Sequence, residues 1–180
     1  MEHFYKNLGE EWFTYPELYK SMVEKFPTNS HFVEVGVWKG MSASFMAVEI
    51  INSGKQIKFD CVDNWEIIDP VIPKESYEGI WEAFQANIEP VKHIINPVRA
   101  ISWEAASNYK NKSLDFVFID ASHDYESVKK DIEAWFPKVK KGGVIAGHDY
   151  DWCDGVINAV NELFGKENII VTEKCWVYNK

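Results

Sequence analysis

Short apolar runs alternate with amphipathic segments from His31 to the C-terminus. A run of this length between turn residues is typical of a strand buried on both faces of a sheet, and the runs lie at residues 32–37, 57–62, 91–95, 114–119 and 144–147. The segments between them carry apolar residues at helical spacing, in the stripes Tyr77, Trp81, Phe84, Ile88 and Val128, Ile132, Phe136, Val139. The alternation predicts an α/β fold in which helices cross between parallel strands.

The two ends of the chain depart from this alternation. Near the N-terminus, Thr14, Pro16 and Glu17 form a capping-box pattern that predicts the start of a helix. At the C-terminus, two apolar runs at 169–171 and 176–178 flank a short polar pair and predict an antiparallel hairpin. The hairpin would end an otherwise parallel sheet with one reversed strand.

Composition fits one compact domain over residues 1–180, with a helical extension at 1–30 and a Rossmann-like doubly wound core at 31–180. The chain is 46% hydrophobic, which is enough to bury a sizeable core. A net charge of -9 argues against nucleic acid as a partner, because phosphate binding needs clustered Lys and Arg. Three cysteines without metal-type spacing suit reduced thiols. With no apolar leader and no run of about 20 apolar residues, we expect a cytoplasmic protein that does not enter a membrane.

The tripeptide His-Asp-Tyr occurs twice, at 123–125 and 148–150, each time after an apolar run. The carboxyl ends of parallel strands face the ligand crevice of an open α/β sheet. If these strands are neighbours, their axes lie roughly 4.8 Å apart, which would bring together Asp120, His123, His148 and Asp149. Helix capping is the alternative, with Asp124 at one helix and Asp151 or Asp154 at the next.

A glycine-containing loop follows the first predicted strand and opens a helix. Glycines there allow a tight turn and a close approach of backbone to ligand, and a helix N-terminus attracts anions. Glu34 would suit the amino group of a ligand and Ser42 its carboxylate. The spacing departs from the dinucleotide fingerprint, and the loop residues that we expect at the ligand are Glu34, Gly36, Trp38, Gly40 and Ser42.

Two further strand ends carry candidate ligand contacts. Asp63, with Asn64 beside it, ends the second strand, where an acid can accept hydrogen bonds from a ribose diol. A simple cap is the alternative for Asp63. Ser102 and Trp103 begin the helix after the third strand. They would either contact the base of the ligand or have a structural role in the core.

These residues make the chain resemble the class I S-adenosylmethionine-dependent methyltransferases from 32 to 178. The loop from Glu34 to Ser42 is similar to that of cation-dependent O-methyltransferases of the catechol and caffeoyl-coenzyme A type, and the segments 118–126 and 142–149 resemble the small "methyltransferase domain 24" group. The resemblance implies a seven-stranded sheet ordered 3-2-1-4-5-7-6 with strand 7 antiparallel. It also implies S-adenosylmethionine as cofactor, with Asp120 among its contacts.

The resemblance further implies a metal site and a catalytic base. Asp120, His148 and Asp149 match the metal-binding positions, for magnesium, manganese or a similar divalent ion. An imidazole there suits manganese, iron or zinc better than magnesium. His123 falls where the catechol-type enzymes carry a base, and its pKa range fits that task. A role for His123 as a fourth metal ligand or as a structural residue stays open.

The resulting hypothesis is metal-assisted methyl transfer to a hydroxyl group of a small molecule, with Asp120 and His123 catalytic. The alternatives are a metal-dependent hydrolase that uses the His-Asp pairs and a catalytically silent binding protein of the same fold. The segment 66–73, with Trp12, Phe13 and Tyr15, would either roof the acceptor pocket or form a homodimer contact.

Overall fold

The computed structural model describes residues 1–9, 12–66 and 78–180. Its sheet has the order β3-β2-β1-β4-β5-β7-β6, which confirms the predicted order. Neighbouring strands are parallel from β3 to β5, while β7 runs antiparallel to both β5 and β6. The strands are β1 (His31–Val35), β2 (Lys58–Asp63), β3 (Ile95–Arg99), β4 (Leu114–Ile119), β5 (Val139–Gly147), β6 (Ile170–Thr172) and β7 (Cys175–Asn179).

Helices cover both faces of the sheet. Successive residues of β4 alternate between two hydrophobic clusters, with Phe116 and Phe118 in one and Val117 and Ile119 in the other. A central strand reads as a nearly continuous apolar run because both of its faces are buried. The first cluster packs against α1 (Pro16–Lys25), α2 (Met41–Ser53) and α3 (Ile80–Ile88), and the second against α4 (Ser102–Ala105), α5 (Tyr125–Trp135) and α6 (Asp154–Phe164).

Two predicted strand boundaries are wrong. The prediction for the third strand, 91–95, ends where β3 begins, and residues 89–91 form a 3-10 turn. Val91 is apolar because it packs in the core after α3, whereas β3 pairs only with β2 and keeps most of its residues out of the core. In addition, β5 begins at Val139, which the sequence pattern assigned to the preceding helix, and the strand runs through the glycine pair.

The predicted helix caps are confirmed in one case and wrong in two. Asp124 caps α5, since its side chain accepts a hydrogen bond from the backbone N–H of Ser127 at 3.0 Å. The N-cap residue of α1 is Tyr15, not Thr14, and it makes no side-chain cap. The N-cap residue of α6 is Cys153, also without a side-chain cap. Thr14 is therefore available for a different contact.

The C-terminal hairpin is confirmed, with Glu173 and Lys174 in its turn at φ of 49° and 65°. The three cysteines are free thiols. Within the described ranges, no helix has the length and apolar character needed to cross a membrane. The predicted acceptor roof at 66–73 lies outside the described residues apart from Glu66.

Candidate active site

A cavity of about 680 Å³ opens at the carboxyl ends of β1, β2, β4 and β5. Its wall contains the loop after β1, the end of β2, the start of α4 and the residues that follow β4 and β5. This is the edge of an open α/β sheet where ligands bind. Of the predicted site residues, the wall includes Gly36, Trp38, Ser42, Asp63, Asn64, Ser102, Asp120, His123, His148 and Asp149.

The glycines of the loop are required by the protein's own backbone. Gly36 has φ +81°, and a Cβ there would lie 2.0 Å from the carbonyl oxygen of Asp120. Gly40, the N-cap residue of α2, also has φ +81°, and a Cβ there would lie 2.9 Å from the Phe84 ring. The loop is thus held against Asp120, which follows β4, and against α3, and a ligand contact at Gly36 stays a prediction.

Asp63 holds this loop in place. Its Oδ2 accepts hydrogen bonds from the backbone N–H groups of Val37 at 2.8 Å and Trp38 at 2.9 Å, and its Oδ1 accepts one from Trp65 at 2.8 Å. Burial raises the pKa of Asp63 against the opposing effect of these bonds. Asp63 still lines the cavity. A ribose contact by this carboxylate stays a prediction, and it would add to a structural role.

Asn64, the next residue along, makes two contacts of its own. Its side-chain oxygen accepts a hydrogen bond from the backbone N–H of Glu66 at 3.1 Å. Its backbone carbonyl accepts one from the side chain of Arg99 at 3.3 Å. These bonds fix the chain immediately after β2, and a cofactor contact by Asn64 also stays a prediction.

Glu34 lies behind the cavity wall rather than on it. Its side chain is 1% exposed and accepts a short hydrogen bond from the hydroxyl of Ser42, which does line the cavity. Burial, together with the nearby charges of Asp120 and Asp63, raises the pKa of Glu34 to about 8. The other carboxylate oxygen, Oε2, is buried and has no hydrogen-bond partner among the described residues. A contact of this carboxyl group with the amino group of a ligand stays a prediction.

The residues that follow β4 and β5 form one carboxylate–imidazole cluster. Because Ile119 pairs with Gly147 at the ends of these neighbouring strands, the polar residues beyond them meet. His123 Nε2 lies 2.9 Å from Asp149 Oδ2. His148 Nδ1 lies 3.2 Å from Asp149 Oδ1 and 3.8 Å from Asp120 Oδ1. The four side chains named by the sequence are thus brought together.

Two residues of the N-terminal segment close this cluster from the other side. The hydroxyl of Thr14 lies 2.9 Å from His148 Nε2. The hydroxyl of Tyr15 donates a hydrogen bond to Asp120 Oδ2 at 2.8 Å, and its ring centroid lies 4.8 Å from that of His148. The sequence pattern placed Thr14 in a helix cap and gave no signal for either contact.

The ionisable groups of the cluster shift one another's pKa values. Burial opposes ionisation of Asp149, but hydrogen bonds from His123 and His148 outweigh it and hold the pKa of that carboxyl well below its usual range. Burial raises the pKa of Asp120, and the charge of Asp149 adds to this effect. For His148, burial alone would lower the pKa, but Asp149 and Asp120 raise it above its ordinary value. Asp149 is thus the anionic centre of the cluster.

Three residues of the cluster offer ligand atoms that could hold a metal ion. One ligand atom each from Asp120, His123 and Asp149 lies within 4.8 Å of the others. Two carboxylates and an imidazole suit a borderline metal such as manganese, iron or zinc. His148, the predicted third ligand, has its Nε2 beside Thr14 and its Nδ1 at 3.2 Å from Asp149 Oδ1 and 3.8 Å from Asp120 Oδ1. His123 is thus a candidate ligand alongside His148, and metal binding by these residues stays a prediction.

Asp131 is a cavity residue that the sequence pattern missed. Its side chain, on α5, is 1% exposed and accepts a short hydrogen bond from the hydroxyl of Ser102. Burial raises the pKa of Asp131 to about 7. In the sequence it follows Lys129 and Lys130, so it resembles part of a solvated helix face. Only the packing of α5 against α4 turns it towards the cavity.

The sheet order, the reversed last strand and the glycine loop beside an acid at the end of β2 define the class I methyltransferase fold. The family model described as a methyltransferase domain, Methyltransf_24, matches residues 33–150. The chain belongs to this methyltransferase family.

Curated relatives are similar at modest identity. The chain is 29% identical over 142 residues to the uncharacterized protein R132 of Acanthamoeba polyphaga mimivirus, covering 73% of this chain and 58% of the relative. It is 28% identical over 115 residues to the probable caffeoyl-CoA O-methyltransferase 3 of Dictyostelium discoideum, covering 63% and 41%. The chain therefore spans about half the length of the curated relatives that it matches.

Solved structures share the fold. The O-methyltransferase NovP superposes with a TM-score of 0.72 at 18% identity, covering 92% of this chain and 78% of NovP. The TDP-rhamnose 3'-O-methyltransferase CalS11, an enzyme of calicheamicin biosynthesis, superposes with a TM-score of 0.63 at 15% identity, covering 91% and 76%.

Proposed function

We propose that this chain transfers the methyl group of S-adenosylmethionine to a hydroxyl group of a small molecule. Support comes from the carboxylate–imidazole cluster of Asp120, His123 and Asp149, which shares the cavity with the glycine loop and Asp63. The names of similar proteins, which include O-methyltransferases, point to the same chemistry. None of the comparisons favours the hydrolase alternative.

In this proposal the cofactor binds along β1 and β2. The loop at Gly36 and Trp38, fixed by Asp63, would carry the methionine and ribose parts, and Ser42 at the start of α2 would contact the carboxylate. The acceptor would lie on the other side of the cavity, beside His123 and the indole of Trp152. That indole is 57% exposed, although its N–H donates to Asp149 at 2.6 Å.

His123 is proposed as the base. If Nε2 carries the ring proton and donates it to Asp149, then Nδ1 is the basic nitrogen, because a neutral imidazole has one donor and one acceptor nitrogen. The acceptor's oxygen would attack the sulfonium methyl carbon as its proton passes to Nδ1. An O–C bond forms, the S–C bond breaks, and its electron pair stays on sulfur as a neutral thioether. Asp149 would stabilise the imidazolium that results.

Positioning of the acceptor's oxygen against the methyl group would supply most of the expected acceleration of methyl transfer, since the sulfonium group is already reactive. A divalent ion, if bound, would be held by Asp120, Asp149 and an imidazole and would lower the pKa of the acceptor's hydroxyl. Tyr15 and Thr14 would keep Asp120 and His148 oriented in the absence or presence of such an ion. This assigns the N-terminal segment a positioning role.

Calorimetry with S-adenosylmethionine tests the proposal first, and a failure to bind would reject it. Methyl transfer from labelled cofactor to a panel of phenols, sugars and other hydroxyl compounds then tests the reaction. Exhaustive chelation distinguishes a metal-assisted reaction from a metal-free one. Activity that survives chelation would leave His123 as a metal-free base, while activity restored only by added manganese or magnesium would support the metal site.

A further inference from the structure

The first turn of α1 is bound by a side chain from the far end of the chain. The first backbone N–H groups of a helix have no partners inside it, and the N-cap side chain commonly accepts a hydrogen bond from one of them. The N-cap residue Tyr15 makes no such bond. Instead, the backbone N–H of Leu18 donates to Oε2 of Glu173 at 2.8 Å. Glu173 thus supplies, from the turn between β6 and β7, the contact that the N-cap residue does not make.

The residues before α1 make no cap because their hydroxyl groups face the carboxylate–imidazole cluster. The hydroxyl of Thr14 lies 2.9 Å from His148 Nε2, and the hydroxyl of Tyr15 donates to Asp120 Oδ2 at 2.8 Å. Tyr15 immediately precedes the first residue of α1. A shift of the first turn of α1 would therefore move both hydroxyl groups relative to the cluster.

The turn that carries Glu173 is itself fixed to the cluster side of the sheet. The carbonyl oxygen of Lys174 accepts a hydrogen bond from the backbone N–H of Tyr150 at 2.9 Å. Tyr150 directly follows His148 and Asp149 in the chain. The hairpin turn is therefore bonded to the segment after β5 on one side and to the start of α1 on the other.

We propose that Glu173 is a positioning residue for methyl transfer, because it holds the start of α1 against the carboxylate–imidazole cluster. Glu173 acts through the hydroxyl contacts of Thr14 and Tyr15, and this inference rests on the function proposed above. A displacement of about 1 Å in a group that orients the reaction can lower its rate about a hundredfold. Loss of the Glu173 carboxylate should therefore lower kcat while cofactor affinity, which depends on other strands, stays unchanged.

The first test compares variants of Glu173 by methyl transfer and by calorimetry with S-adenosylhomocysteine. Glu173→Ala should lower kcat about tenfold or more at wild-type cofactor affinity. Glu173→Gln should retain most of the turnover, because its amide oxygen can accept the hydrogen bond from the Leu18 N–H. Glu167→Ala is the matched control, since it makes the same change in the turn just before β6, where the side chain contacts its neighbour Asn168. This control should retain wild-type turnover.

The same substitution in a Thr14→Val/Tyr15→Phe background distinguishes positioning from a purely structural role. Both hydroxyl groups are absent from that background, so a residue that acts through them has little effect left to lose. Glu173→Ala should then lower kcat by less than about threefold. A residue that only stabilises the fold would lower kcat by the same factor in both backgrounds.

The NMR signals of the His148 ring report the same contact without any turnover. Thr14→Val removes the hydroxyl beside Nε2 and should shift these signals. Glu173→Ala should shift them in the same direction, whereas Glu173→Gln and Glu167→Ala should leave them in place. Glu173→Asp, whose carboxylate lies one methylene group further from α1, should also shift them and provides the measurement if Glu173→Ala does not fold.

Each outcome decides the inference. Unchanged His148 signals in the folded Glu173→Ala or Glu173→Asp protein would overturn it, as would equal losses of kcat in the two backgrounds. Either result would leave the proposed methyl transfer intact. A wild-type protein that transfers no methyl group would contradict the proposed function, and the His148 signals would still decide whether Glu173 holds the N-terminal segment in place.

Discussion

Aspartates in the two halves of the cavity, one at the end of β2 and the other at the ends of β4 and β5, have different partners. At the end of β2, Asp63 bonds three backbone N–H groups of its own chain. At the ends of β4 and β5, Asp120 and Asp149 instead face imidazole rings. A carboxylate bonded to backbone fixes a loop, whereas one that faces titratable side chains can take part in proton transfer or metal binding. The role of an acidic residue at a strand end thus depends on its hydrogen-bond partners and not on its position alone.

The largest effect is expected from Gly36→Ala, in the half of the cavity that we propose binds the cofactor. The new methyl group would lie 2.0 Å from the Asp120 carbonyl oxygen, so β1 and β4 cannot keep their present approach. We expect a loss of stability of several kcal/mol, with binding and turnover lost together. Thermal unfolding measures the effect.

Gly142→Ala is the control for this variant. Gly142 has φ +82°, close to the +81° of Gly36, but its added methyl group would contact nothing within 4 Å. The difference between the two variants therefore isolates the clash from backbone strain. Equal stability losses would show that the approach at Gly36 is not rigid.

The next largest effect is expected from Asp149→Asn, in the cluster half. The change removes the negative charge that His123 and His148 share, so turnover should fall by about a hundredfold or more. Cofactor affinity should stay near the wild-type value, because Asp63 and the glycine loop lie on other strands. Calorimetry, metal content and methyl transfer are measured on the same preparation.

Asp151→Asn is the matched control, since Asp151 is an acid close in sequence that forms an ion pair with Lys174 at 3.7 Å. This variant should keep the cofactor affinity and the turnover of the wild-type protein. If Asp149→Asn weakens cofactor binding as strongly as turnover, the division of the cavity into two halves is wrong.

A smaller effect is expected from Asp63→Ala, and it should appear in two measurements. Loss of the carboxylate frees the backbone N–H groups of Val37 and Trp38, which should lower the free energy of unfolding by about 1–3 kcal/mol. Cofactor affinity should fall by a similar amount if Asp63 also contacts the ribose. Lower stability with unchanged affinity would leave Asp63 as a loop anchor alone.

The last prediction concerns Glu34 and depends on pH. Its pKa is raised from 4.5 to about 8 in the folded protein by burial. The stability that such a group contributes is fully present below the pKa of the group in the unfolded chain. It is lost as the pH rises through the pKa of the group in the folded protein. Relative to Glu34→Gln, the wild-type protein should lose at most roughly 1.4 kcal/mol per pH unit between pH 5 and 8. Denaturant unfolding at several pH values tests this, and parallel pH profiles would contradict it.

Periodicity in the sequence predicted the sheet well where strands are buried on both faces. β4 matches its predicted bounds, because all of its residues except Asp115 are buried against one face or the other. The pattern failed at the sheet edge, where β3 contains Asn96, Pro97 and Arg99 and needs few apolar residues. It also misplaced Val139, because buried residues of a helix end and a strand start look alike in the sequence.

The sequence by itself determined the order of elements, the glycine loop and the acids and histidines at the strand ends, because these follow from local spacing. Only the tertiary structure decided the partners of each side chain. Packing buried Glu34 behind the cavity wall, brought Thr14 and Tyr15 to the cluster, placed both His123 and His148 beside the carboxylates, and put Asp131 on the cavity wall. These contacts join residues far apart in the chain, so their geometry depends on how helices and strands pack rather than on any short-range pattern.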